Sequence, residues 1–217
     1  MDTPPQAGSS TGIGPAAFAF YRELELNNDR SWWSKHAGDH DRHVKVPLQE
    51  MLAVLEPSFG PAVIFRPYRD ARFLRGGPPL KTQQSGFVPA SGNIGFYLHV
   101  SGAGVSLEAG CRSFTPFQLA RYRDACDATG SGSSLARLLD LLQEAGWELL
   151  GRQLQGVPRI FSTFHPRAEL LRHTSLSVRR NLGEPSFLSG PEAVQHVTAL
   201  WNQARPLVAW LGRSAAP

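Results

Sequence analysis

The chain has 217 residues, of which 41% are hydrophobic and 18% charged, so it can bury a sizeable core and is too poor in charge to be disordered throughout. Lysine and arginine number 22 against 18 acids, a formal charge of +4 too slight to imply a polyanionic partner unless it gathers on one face. No apolar run approaches the roughly 18 residues of a membrane span, the N-terminus lacks the basic flank and apolar stretch of a leader, and two cysteines without CxxC spacing exclude a disulfide framework. The expectation is a cytoplasmic protein without a membrane partner, with Cys111 and Cys126 as reduced packing residues.

Residues 1–14 are rich in Pro, Gly, Ser and Thr and read as a mobile tail, so the expected single domain spans 15–213. Phe18, Tyr21, Leu24 and Leu26 recur at roughly helical spacing until Asn27-Asn28-Asp29 supplies turn and N-cap chemistry. A second helix is expected over 30–55, with Pro47 kinking or splitting it. Short β-rich runs follow at 63–65, 95–100 and 104–108, the last two close enough to force an antiparallel hairpin. Residues 75–93, with Gly76-Gly77-Pro78-Pro79 inside, read as a loop. Thr115-Pro116 opens a helix over 117–128 whose expected apolar face is Phe117, Leu119, Ala120 and Ala125, with Tyr122 in solvent. A Gly/Ser break at 130–133 precedes a helix over 135–145 that Gly146 closes. Then come a strand over 147–155, a helical turn or two over 166–172, a strand over 175–181, and a final helix over 191–211 that Pro206 bends. The pattern is α+β: a single domain with an antiparallel or mixed central sheet flanked by N-terminal and C-terminal helices.

The densest chemistry lies in 65–75, where Arg66, Arg69, Arg72 and Arg75 recur every third residue around Asp70. Asp70 can take a fork from one guanidinium while others face an outside anion, and the competing reading is a closed ion-pair network of Arg69, Asp70 and Arg72 that staples the sheet to the first long helix. His36, His40 and His43 share a helical face at metal-ligand spacing, but on a polar surface without an obvious fourth ligand, so no metal is expected there. His99 sits in an apolar strand on the face opposite Leu98, and His165 precedes Pro166 at a turn. Gly102-Ala103-Gly104 is not followed by a helix, and neither a Walker sequence nor a Gly-x-Ser-x-Gly elbow occurs, so no cofactor is expected.

The runs Leu-Glu-Leu-Asn-Asn-Asp-Arg-Ser-Trp-Trp, Arg66-Pro67-Tyr68-Arg69-Asp70-Ala71-Arg72-Phe73 and Pro79-Leu80-Lys81-Thr82, followed by 95–100 and Phe164-His165-Pro166, resemble the DUF2461 family of uncharacterised bacterial and fungal proteins over most of 15–213. The family pattern continues past its arginines to an acidic or amide residue, a lysine and a tyrosine; here Gly76, Gly77 and Leu80 stand near those positions, while Lys81 persists just beyond. The resemblance implies the domain limits and the motif, and no activity.

The resulting expectation is a site for an anionic small molecule, with Arg66, Arg69, Arg72, Lys81 and Tyr68 binding and Asp70 orienting the arginines. If the protein is an enzyme, Asp70 or His99 is the candidate for metal-independent proton-transfer or cyclisation chemistry. The alternative is an interaction module gripping nucleic-acid phosphates or an acidic protein, since Phe65, Tyr68 and Phe73 interleave the arginines. Arginines converging in a cavity favour the first; a convex basic stripe favours the second.

Overall fold

The computed structural model describes residues 12–70, 72 and 77–215, so Ala71, Phe73, Arg75 and Gly76 of the motif and residues 1–11 of the expected tail lie outside the described residues. Helix α1 (Pro15–Leu26) begins with proline in its first turn, and Asp29 caps α2 (Arg30–His40) by accepting the N–H groups of Ser31 and Trp32. Order starts before Pro15: the side chain of Ile13 is fully buried and its N–H donates to the Leu188 carbonyl.

The long second helix neither breaks nor simply kinks. After α2 it widens into a π-turn (Asp41–Lys45), in which the Val46 N–H reaches back to the Asp41 carbonyl, and resumes as α3 (Val46–Phe59). Pro47 has no N–H to give the His43 carbonyl and its ring crowds that turn, so a wider turn just ahead of it is the cheap accommodation.

The described strands form one open antiparallel sheet in the order β1-β2-β3-β4-β6-β5: β1 (Val63–Ile64), β2 (Gln83–Ser91), β3 (Ile94–Ser101), β4 (Gly104–Cys111), β5 (Glu148–Leu150) and β6 (Leu176–Gly183). The architecture is single-domain α+β. β2 corrects the expected loop over 75–93. Its turn-like residues are satisfied by distant partners: buried Gln84 donates to the Phe65 carbonyl, and Gly86 lies where a Cβ would come within 2.3 Å of Leu52 Cδ1. Pro89 lies beyond the stretch paired with β1, where a missing donor is tolerated.

Helices α4 (Pro116–Asp127), α5 (Thr129–Glu144), α6 (Ala168–Arg172) and α7 (Glu192–Ser214) complete the chain, with Thr115 and Gln118 forming a reciprocal capping box at α4. The expected Gly/Ser break is the first turn of α5 instead. Gly132 lets α5 approach the end of α4, where Arg167 donates to the Cys126 and Asp127 carbonyls at 2.6 and 2.7 Å. Tyr122 corrects the expected solvated face, since it is fully buried and donates to the Leu170 carbonyl at 2.9 Å, whereas Phe117 and Ala120 are exposed. The strand expected over 147–155 stops at Leu150, next to Gly151, where Ser175 presses against the backbone.

Alternation along the strands separates two sheet faces. Leu107, Ala109, Cys111, Leu98, Phe96 and Val178 share the face onto which α1, α3 and α7 pack. Ser85, Phe87, Tyr97, His99, Glu108, Ser177 and Arg179 share the other. No helix among the described residues is long and apolar enough to cross a membrane.

Candidate functional site

Beyond β1 the arginine segment folds back on residues 79–81 as a short antiparallel ladder, with Tyr68 bridged to Leu80, the Arg69 N–H donating to the Pro79 carbonyl and the Lys81 N–H to the Pro67 carbonyl. Asn28, in the turn before α2, clamps this ladder: its side chain accepts the Leu80 N–H and donates to the Leu80 carbonyl, both at 3.1 Å. Arg69 Nε donates to the same carbonyl at 3.0 Å, and Lys81 Nζ to the Arg66 carbonyl at 2.9 Å.

Between this ladder, β1 and the π-turn lies a cavity of about 450 Å³, lined among others by Trp33, His40, Asp41, Lys45, Arg66, Tyr68 and Gln84. Its aromatic wall is fixed by Trp33 Nε1, which donates to the Tyr68 hydroxyl at 3.0 Å. His40 is buried against Phe20 and Trp33, with the Tyr21 hydroxyl 3.4 Å from Nε2 and Asp41 3.6 Å from Nδ1. Burial lowers the His40 pKa and Asp41 only partly opposes this, so the imidazole is neutral at pH 7. Lys81 is lowered from the ordinary lysine value, first by burial and then by the positive charge of Arg66, so the two cations feel one another.

Of the expected binding residues, Arg66 and Tyr68 line this cavity; Arg69 and Lys81 hold the ladder behind it. Within the Arg69–Asp70–Arg72 group, the ion pair among the described residues is between Asp70 and Arg72. Arg72 Nη2 lies 2.6 Å from Asp70 Oδ2, its Nε reaches both carboxylate oxygens and its N–H donates to Oδ1, which keeps the Asp70 carboxyl below its usual range. Arg69 turns away because the Leu80 carbonyl takes its Nε. The Arg72 side chain is 80% exposed and that of Asp70 30%.

His99 stands apart from these residues, because Ser85 opposite it and Gln84 in the cavity wall point to opposite sheet faces. There His99 joins a buried polar cluster centred on Glu108. Arg112 forks Glu108 through Nε at 3.0 Å and Nη2 at 2.9 Å, Arg179 Nη2 donates at 2.9 Å and Ser177 Oγ at 2.9 Å. His99 Nε2 lies 3.4 Å from the same carboxylate and Nδ1 lies 2.7 Å from Ser85 Oγ. Burial by itself would raise the Glu108 pKa, but His99, Arg112 and Arg179 outweigh it and hold the carboxyl far below its ordinary range. Burial lowers His99 and pushes the Tyr97 phenol up to about 12.

The three helical histidines do not share a polar face: His36 stacks on Trp32 at 4.0 Å, while His40 is buried. Among the described residues no group of three or more His, Cys, Asp or Glu is placed to hold a metal. His165 lies 3.2 Å from Asp127. Sequence reasoning missed Glu108, Arg179 and the cavity role of His40 and Lys45. The signal for Glu108 was parity: Val105, Leu107, Ala109 and Cys111 are apolar, and the glutamate falls on the face of Tyr97 and His99.

A family model described as "Conserved hypothetical protein (DUF2461)" matches residues 16–210. No curated protein and no solved structure matches the chain.

Proposed function

The chain belongs to the DUF2461 family, whose description carries no activity, and from that premise we propose that it recognises an anionic small molecule in the cavity beside β1. The observation that carries this reading is that Arg66 and Lys45 line the same concave space as Trp33 and Tyr68, so cations and a flat aromatic wall converge on about 450 Å³. Lys81, tied to the Arg66 carbonyl behind the cavity, adds a third positive charge beside the first, and an anion held by Arg66 relieves their repulsion. Asp41 offsets part of that charge and holds Lys45 at 3.6 Å. Arg69 and Lys81 act as positioning residues: they set the ladder that aims Arg66. If the site performs proton transfer, the group at hand is neutral His40, since Asp70 is engaged by Arg72 and His99 belongs to the other sheet face.

Titration of the full chain with inorganic phosphate, followed by tryptophan fluorescence, tests the reading. Saturable quenching is expected, with shallow salt dependence, absent in Trp33→Phe and weakened at least tenfold in Arg66→Ala. Unchanged affinity in Arg66→Ala overturns it. Tight oligonucleotide binding whose affinity falls steeply with salt supports the interaction module in its place.

A further inference from the structure

The Glu108 cluster lies outside the cavity just described, on the sheet face that α1, α3 and α7 leave alone. Two guanidiniums meet one carboxylate there, and with His99 neutral the assembly keeps a surplus of one positive charge. Glu108 is saturated by donors, but the arginines are not saturated by acceptors. Arg112 spends Nε and Nη2 on Glu108 and Arg179 spends only Nη2. Arg179 Nε is buried without a hydrogen-bond partner among the described residues, and a buried donor left so calls for an acceptor. The two arginine side chains remain 37% and 31% exposed, so a ligand can reach them. Beside them runs an aromatic row. The Arg112 guanidinium carbon lies 4.7 Å from the Tyr97 ring centre, Tyr97 stacks on Phe87 at 4.4 Å, and Phe87 on Phe65 at 6.5 Å.

We infer that Arg112 and Arg179 form a second binding site, for the carboxylate of a small monocarboxylic molecule with a flat apolar body that packs toward half-buried Phe87, Tyr97 itself being buried beneath the Arg112 guanidinium. A planar carboxylate matches the donors of a guanidinium, and Glu108 holds Arg112 by a fork and Arg179 by one hydrogen bond before the ligand arrives, which limits the side-chain freedom lost on binding. The charge selects among anions. One negative charge balances the surplus of the Glu108 cluster, whereas a phosphate dianion overshoots it with Glu108 buried beneath.

The test uses the full chain with ¹⁵N-labelled arginine and benzoate as the probe. Saturable shifts of the Arg112 and Arg179 Nε–Hε signals are expected, with inorganic phosphate at least tenfold weaker at those signals. Arg179→Gln, which leaves the Arg112 fork on Glu108, is expected to lower benzoate affinity at least tenfold; Arg137→Ala, the same charge removed from an exposed face of α5, is expected to change it less than twofold. Benzoate shifting neither signal in the wild type overturns the inference even if the variant fails to fold, as does phosphate binding there more tightly. Because this readout is local to Arg112 and Arg179, whereas the edge cavity is read at Trp33, either site can fail without the other.

Discussion

Arg112 grips Glu108 four residues earlier with two parallel hydrogen bonds of 3.0 and 2.9 Å, although Glu108 lies within β4 and Arg112 just past its end rather than on a helix. Glu108 is 2% exposed and its pairing is complete, so Glu108→Gln leaves two guanidiniums facing a neutral amide. The expected loss is about 2–4 kcal/mol, somewhat below the roughly 3–5 kcal/mol of a fully buried broken pair, because both arginines are about a third exposed. The pH dependence follows from the depressed carboxyl. Its contribution is fully present above the unfolded carboxylate pKa of about 4.3 and is lost as pH falls below that toward the folded value. Urea denaturation at pH 7 and pH 3 checks both: the gap between wild type and variant should narrow at the lower pH, and a constant gap would contradict the assignment.

Asn28→Ala is expected to loosen the arginine ladder. It removes a reciprocal pair of hydrogen bonds to Leu80, whose side chain is 1% exposed, at about 1–3 kcal/mol for the groups left unpaired. Amide exchange localises the effect. Protection should fall at Leu80 and Lys81 well before the β3–β4 hairpin, and a uniform loss across the sheet would argue against a local clamp.

Gly132→Ala places a Cβ 2.1 Å from the Cys126 carbonyl and 2.4 Å from Arg167 Nε, inside the contact that joins α4 to α5. Despite alanine's better helix propensity, overpacking should destabilise the protein by about 1–3 kcal/mol. Gly130→Ala, with open space around it, is the control and should be neutral or stabilising.

Both thiols should resist alkylation in the native state. Burial pushes the Cys126 thiol up to about 12 and raises Cys111 as well, so little thiolate exists at neutral pH and neither sulfur is accessible. Iodoacetamide should label both only after denaturation; native labelling of either contradicts the packing described.

Where the residues carry their own periodicity or cap, the sequence by itself determined the element. The apolar spacing of α1, the Asp29 cap, the capping box of α4 and the hairpin at 101–104 are local properties, set by side chains within a few residues of the backbone they organise. The family motif was legible for the same reason, as contiguous residues. What the motif does was not: its described arginines, read as one group around Asp70, reach the Leu80 carbonyl (Arg69), the Asp70 carboxylate (Arg72) and the cavity (Arg66). Only the tertiary structure decided that. β2 and the first turn of α5 became regular because Leu52, Phe65 and Arg167, distant in the chain, satisfy a glycine gap, a buried amide and two helix-end carbonyls. Likewise Glu108, Arg179 and His99 are unremarkable one by one; strand register sets them side by side, and burial by neighbours far along the chain turns their charges into a cluster with a fixed shape.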